Sequence, residues 1–368
     1  MTYKNKIKFF FTFSILIFFL LPVINNFNSE KEFNIDAIEK EFNLDTIEKY
    51  VNFVIYKLFN RSLNQRQVIT GKQDFLFLGN QYNQIIHKTN GTVKTLQTDV
   101  EKMAYSLKAL QDFYEKRGIK FVLIVVPNKH SVYKENLPKW MQYQGKTITN
   151  SIVDSANQKN VNILDLTTIL NNERINNEGL LYFKTDTHWN DKAAAIGYEE
   201  TIKYLNQKYK LNINKQKYSF TKSYKSAGDL SRFLKINKIL GIKYEIAPAI
   251  KLKNNIKICI GEIAIESGKM KKCIKTWNGI TAYGRNLYVK NEFKEYGTLL
   301  FLGDSSSKAN SMLYNASFNT IWKLPWWNAS VNKLTPFFKE NNPDIVIYQV
   351  VERRLDGFLK TIPRMIVD

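Results

Sequence analysis

The chain has 368 residues, enough to bury a full core as one large domain or two modest ones. Hydrophobic residues make up 44% and charged residues 24%, which excludes wholesale disorder. Lysine and arginine number 54 against 33 acidic residues, a net charge of +21 that suits an anionic partner or a lysine-rich solvated surface. The basic residues are scattered, with no zinc-finger spacing and no RNP-like string, so no nucleic-acid partner is expected.

In chain order, Lys4, Lys6 and Lys8 precede an uncharged run from Phe9 to Ile24. A basic start followed by an apolar segment is the pattern of a secretory signal or signal anchor. The run is a little short of the roughly 20 residues of a spanning helix, and Asn25-Asn26-Phe27-Asn28 supplies no small-residue cleavage site. Residues 1–28 are therefore expected to be an uncleaved single-pass anchor in the cytoplasmic membrane. The lysines would lie inside and the bulk of the chain outside, in a periplasm or at a cell surface. Residues 29–70 read as a membrane-proximal spacer. They hold a nine-residue tandem repeat, Glu32 to Lys40 and Glu41 to Lys49. Nine residues turn a helix by about two and a half turns. That sets Phe33, Ile35 and Ile38 opposite Phe42, Leu44 and Ile47, so a bent spacer is expected rather than one long amphipathic helix.

A compact domain is expected over 71–368. Asp74-Phe-Leu-Phe-Leu-Gly79 reads as a short buried strand ending in a turn. Val100, Met103, Leu107, Leu110 and Phe113 recur at helical spacing, with Gly118 suited to the helix end. Phe121 to Val126 is a continuous β-branched run closed by Pro127, the pattern of an interior parallel strand. Further strands are expected at Val161 to Leu164, Thr298 to Leu302 and Asp344 to Val350. Helices are expected from Asp191 through Leu205 and from Val331 to Glu340. Strands alternating with helices predict an α/β fold with a mainly parallel sheet. The rhythm is lost over about 215–297, read as an insertion with antiparallel strands placed over one end of the sheet. Cys259 and Cys273 both fall there, either as a disulfide contributing about 3 kcal/mol or as two buried thiols. The three histidines, His87, His130 and His188, lack ligand spacing to the cysteines, so neither a metal nor another cofactor is expected.

Two motifs carry chemistry. Gly303-Asp304-Ser305 directly follows a strand, where a sharp turn exposes Ser305; the N–H groups of Ser305 and Ser306 are suited to a developing oxyanion. Lys184-Thr-Asp186-Thr-His188-Trp189-Asn190 supplies the base that a serine alcohol needs. Two positions apart in an extended segment, Asp186 and His188 share a side, so Asp186 can hold Nδ1 while Nε2 faces Ser305. Trp189 is placed as a wall of the site and a weak substrate contact. His130 is the rival base, without a carboxylate nearby in sequence, and His87 reads as a surface residue.

Asp186-Thr-His188-Trp, followed by Asn190 and Ala193-Ala-Ala-Ile-Gly197, resembles the signature of the alginate O-acetyltransferase (AlgJ/AlgX-type) family. The resemblance extends in order through Asp74 to Gly79, Val126-Pro-Asn-Lys129 with Tyr133 and Leu137-Pro138, Gly228-Asp-Leu230, Gly303-Asp-Ser305 and Pro343 to Arg353. It implies an SGNH-hydrolase-like three-layer domain in which the Asp-x-His precedes the Gly-Asp-Ser. It further implies Ser305 as nucleophile, His188 as base then acid, and Asp186 as its orienter. Asn310 and Arg353 are expected as oxyanion or supporting groups. The implied function is O-acetylation of a cell-envelope or exported polysaccharide through an acetyl-serine, with a membrane-bound O-acyltransferase supplying the acetyl group. A carbohydrate esterase and a non-catalytic glycan-binding protein are the alternatives. The region 215–297 carries little of the resemblance.

Overall fold

The computed structural model describes residues 44–366, apart from 94, 142, 144, 178, 255, 266, 272, 277–283 and 294–295, and eight residues between 12 and 23. Half of the apolar N-terminal run and the first copy of the repeat lie outside the described residues. No helix among them is long and apolar enough to cross a membrane. The second repeat copy runs into helix α1, Asp45–Phe59, and any bend between the two copies lies outside the described residues. Asn52, Phe53 and Tyr56, beyond the repeat, seat the helix on the domain.

A short antiparallel pair, β1 (Val68–Thr70) and β2 (Leu76–Leu78), precedes the main sheet. Five strands form its parallel half, in the order β4 (Ile163–Asp165), β3 (Lys120–Val126), β13 (Ile345–Val351), β11 (Tyr296–Gly303) and β12 (Phe318–Pro325). The side-chain period of two sorts each strand onto two cores. Val122, Ile124, Phe301, Ile345 and Ile347 point to one face, with Ala194, Tyr198 and Ile202 of helix α4 (Asp191–Tyr209). Phe121, Leu123, Leu300, Leu302, Val346 and Tyr348 point to the other. There they meet α2 (Gln97–Glu115), α3 (Ile148–Gln158), α6 (Val331–Glu340) and α7 (Leu355–Ile366). The result is a three-layer α/β domain, as expected. Gly118 lies two residues beyond the Lys116 cap of α2, in the left-handed region at φ 74°.

The stretch 215–297 corrects one expectation. Its strands do not lie over an end of the sheet; most of them lengthen it. β10 (Leu287–Asn291) pairs antiparallel with β12, then β7 (Ile258–Ala264) with β10, and β8 (Lys269–Met270) and β9 (Ile274–Thr276) with β7. The reason is the open edge of β12, whose unpaired backbone groups need partners. Cys259 and Cys273 are joined as a disulfide, with Cα atoms 5.4 Å apart. A separate hairpin, β5 (Tyr218–Lys225) with β6 (Glu245–Leu252), packs β6 on α4, and between its strands lies the five-residue helix α5, Asp229–Phe233.

Candidate active site

Three neighbouring parallel strands end at one edge. Val126 of β3 stands beside Val351 of β13, and Gly303 of β11 beside Gln349. The chain therefore delivers Pro127-Asn128, Glu352-Arg353 and Asp304-Ser305 side by side at the carboxyl ends of the strands, where open α/β sheets build their sites. Asp304 is buried and shapes the serine turn: Oδ1 accepts from the Ser306 N–H at 2.9 Å and Oδ2 from the Val351 N–H at 2.8 Å. Ser305 opens a 3-10 turn, Ser305–Lys308, and is half-buried. Its Oγ makes no hydrogen bond among the described residues.

The segment carrying Asp186 and His188 runs just before α4, closed by a bridge between Tyr182 and Trp189. It is pinned from two sides. The buried Lys129 ammonium donates to the carbonyls of Phe183, Lys184 and Asp186 at 2.9, 3.0 and 2.6 Å. Burial lowers its pKa to about 8, with the charges of Asp186, Glu245 and Asp229 opposing. From the other side, Glu245 of β6 accepts from the N–H groups of Lys184 and Thr185 and from the Thr185 hydroxyl. Trp189 is fully buried, and its indole N–H donates to the Ser306 carbonyl at 2.9 Å, tying the histidine segment to the serine turn. Gly197 makes room for that ring, since a Cβ there would lie 2.9 Å from it.

His188 Nδ1 lies 2.6 Å from Asp186 Oδ1, the geometry expected for a histidine held by its carboxylate. That carboxylate also accepts from the His188 N–H at 2.9 Å and the Asp229 N–H at 3.1 Å. Burial acts to lower the His188 pKa, but the Asp186 hydrogen bond and charge, with Asp229 adding, raise it above the usual value. Burial acts to raise the Asp186 pKa, yet the His188 bonds and charge and the Asp229 N–H hold it well below the carboxylate range. One small cavity is walled by Val126, Pro127, Thr187, His188, Ser305 and Arg353. The serine and the histidine thus face a common space, and Trp189 forms another part of its wall.

The remaining expectations fare unevenly. Ser306 lines the cavity, but its N–H is committed to Asp304 and its Oγ accepts from Gln349 Nε2 at 3.0 Å. Asn310 is buried away from the cavity wall, its Nδ2 donating to Gln349 Oε1 at 2.9 Å. Arg353 does reach the site: it lines the cavity and donates to Asn128 Oδ1 at 3.3 Å. His130 is buried, with Nε2 on the Leu78 carbonyl at 3.0 Å, and burial drives its pKa down to about 3. His87 is exposed.

Two residues were missed. Asp229 accepts from the Thr187 N–H and hydroxyl at 2.7 and 2.6 Å, and its Oδ2 lies 3.8 Å from His188 Nδ1. Burial, then the Asp186 charge, raises its pKa. Asp186, His188 and Asp229 together have donor atoms within 4.8 Å of one another, close enough in principle for a cation. Asn128 is the other: its Oδ1 accepts from Arg353 and so holds that side chain, while Asn128 itself lines an adjoining pocket with Thr187 and Arg353, its buried Nδ2 without a partner among the described residues. The signals existed, since both residues sit in motifs quoted above, Gly228-Asp-Leu230 and Val126-Pro-Asn-Lys129.

The family model described as "SGNH hydrolase-like domain, acetyltransferase AlgX" matches residues 68–252. The chain belongs to this family. The match continues to the end of β6, so the hairpin that supplies Asp229 and Glu245 is part of the family domain, not of an unrelated insertion. A probable alginate O-acetylase AlgJ of Pseudomonas putida is 27% identical over 189 residues, 50% of this chain and 46% of that protein. The match therefore spans about half the length of that curated relative. In three dimensions the chain resembles PatB1 of Bacillus cereus, solved with a sulfonyl adduct, at 16% identity and a TM-score of 0.55. The alignment covers 80% of this chain and 99% of that one. A DHHW family protein of Eubacterium siraeum aligns at 15% identity and a TM-score of 0.51, over 71% and 88% of the two chains. These likenesses show a shared fold, and the SGNH hydrolase-like description comes from the family model.

Proposed function

We propose that this chain transfers acetyl groups to hydroxyls of a cell-envelope or exported polysaccharide, with Ser305, His188 and Asp186 acting as a triad. The observation that carries the reading is the Asp186–His188 pair at 2.6 Å in the wall of a cavity that Ser305 shares. With Nδ1 held by Asp186, Nε2 is the nitrogen left to take the Ser305 proton. Ser305 Oγ attacks the carbonyl carbon of an activated acetyl donor. The bond to the leaving group breaks, and His188 returns the proton to that group. A sugar hydroxyl then attacks the acetyl-serine, giving its proton to His188, which restores it to Ser305 as the ester departs. Arg353, which lines the cavity and is held by Asn128 Oδ1, is the group placed to stabilise the oxyanion, a role for which Asn310 and the Ser306 N–H are otherwise engaged. The chain works outside the cytoplasm, anchored by its N-terminal segment, and a membrane-bound O-acyltransferase supplies the acetyl group.

The test uses the full chain in detergent with a chromogenic acetyl ester, with and without oligosaccharide acceptors, beside Ser305→Ala and His188→Ala. Acetyl mass on the acceptor only with intact Ser305 is the expected outcome. Ester cleavage without transfer makes the chain an esterase, and wild-type rates equal to those of both variants remove acyl transfer altogether. Arg353→Ala is expected to lower kcat by about 10²-fold, the usual effect of losing an oxyanion donor. Asn310→Ala should leave kcat nearly unchanged.

A further inference from the structure

Helix α1 is mounted with its apolar stripe outward. Asn52 and Tyr56 are buried and Phe53 is packed on the core. Asn60, at its end, donates to the Gly71 carbonyl at 2.9 Å, and Lys235 pairs with Asp45 and Glu48 at 2.6 and 2.5 Å. The opposite side carries Tyr50, Val51, Val54 and Leu58, positions that meet on one helical face, and all four are exposed, Leu58 by 73%. Phe59 and Leu63 continue the patch. A surface helix ordinarily turns such a stripe inward; here the body of the domain takes the more polar side.

We infer that this face lies in the lipid–water interface of an anionic membrane, holding the domain flat on the surface. Three observations select lipid as the occupant. The uncharged run Phe9 to Ile24 ends only 20 residues before the helix begins. Both acidic side chains of the helix are ion-paired with Lys235 of the domain, so neither is left to repel anionic headgroups, and the Lys57 ammonium lies over the Tyr56 and Tyr244 rings. The whole chain carries a net charge of +21, which draws it to such a surface. The inference rests on the membrane-anchored reading and adds an orientation to it, since a helix fixed to the domain at Asn52, Tyr56 and Asn60 cannot dip into lipid without setting the tilt of the whole body.

The experiment places an environment-sensitive fluorophore at Val54→Cys or Leu58→Cys in the full chain, with Lys116→Cys as the exposed control, the native cysteines being bonded to each other. The protein is reconstituted in vesicles of phosphatidylcholine with phosphatidylglycerol and in phosphatidylcholine alone. A blue shift and quenching by lipid-borne nitroxide at 54 and 58, stronger with the anionic lipid and absent at 116, is the expected result. Water-like emission at 54 and 58 in vesicle-bound protein overturns the inference while leaving the anchor intact. A shift seen in native membranes but not in pure lipid overturns it in favour of a protein partner. Chain remaining in the supernatant overturns both the inference and the anchoring on which it rests, a separate and recognisable failure.

Discussion

His188 sits against two carboxylates of unequal standing. Asp186 holds Nδ1 at 2.6 Å, and Asp229 lies 3.8 Å away while bonded to Thr187. Both stabilise the imidazolium, and in the proposed mechanism only the neutral ring accepts the Ser305 proton, so the acid limb of activity should fall above the ordinary histidine pKa of about 6.5. Asp229→Asn keeps an acceptor for the Thr187 N–H but removes one charge. The imidazolium loses support, and the limb should move to lower pH with the plateau nearly kept, read from kcat/KM against pH. Gly228 tests the same corner sterically. A Cβ there would lie 2.4 Å from the Asp186 Cβ and 2.6 Å from its Oδ2, so Gly228→Ala should push the carboxylate off Nδ1. A displacement of that order lowers kcat by about 10²-fold, and an unchanged circular dichroism spectrum would show that the loss is local.

At the scale of elements, the site depends on two segments meeting, and Trp189 joins them. Trp189→Phe keeps most of the buried ring but removes the N–H bond to the Ser306 carbonyl. The expected cost is about 1 kcal/mol in denaturant unfolding. Loosened spacing between His188 and Ser305 should lower kcat by about tenfold with KM nearly constant. The elements themselves were largely legible in the sequence. Phe121 to Val126, Thr298 to Leu302 and Asp344 to Val350 are interior strands because a strand buried on both faces reads as a continuous apolar run. Strand β12 and helices α3 and α7 were not foreseen. Phe318–Pro325 mixes Asn319, Thr320 and Lys323 with its apolar residues, and pairing with β11 and β10 on either side makes it a strand.

For the whole molecule, the central strands are cross-linked at the site edge by a buried acid. Glu352, at the end of β13, accepts from the Asn128 N–H at 2.8 Å and the Ser131 hydroxyl at 2.6 Å, both on the chain leaving β3. Burial pushes its pKa from 4.5 up to about 7. A raised carboxyl pKa means the folded state holds the proton more tightly. Its stabilising contribution is complete below the unfolded value near 4.5 and is lost as pH rises through about 7. Glu352→Gln retains the acceptor without the charge, so its melting temperature should match wild type near pH 4 and exceed it above pH 8, by up to about 3 kcal/mol in stability.

The sequence by itself determined the class of fold, the Asp-x-His and Gly-Asp-Ser motifs and the family resemblance, because each is written in local spacing: apolar runs, a two-residue step that keeps two side chains together, a turn after a strand. Tertiary structure alone decided which polar groups remain free. The Ser306 N–H and the Asn310 amide suit an oxyanion by type and position in sequence, yet Asp304 and Gln349 engage them. Asn128 has a partner for its oxygen only in Arg353, more than two hundred residues away, and its Nδ2 has none among the described residues. Asp229 reaches His188 only because α5, carried between the hairpin strands, lies against the 182–189 segment. Hydrogen-bond partners are assigned by proximity in space, and a buried donor or acceptor pairs with whatever the packed chain brings beside it.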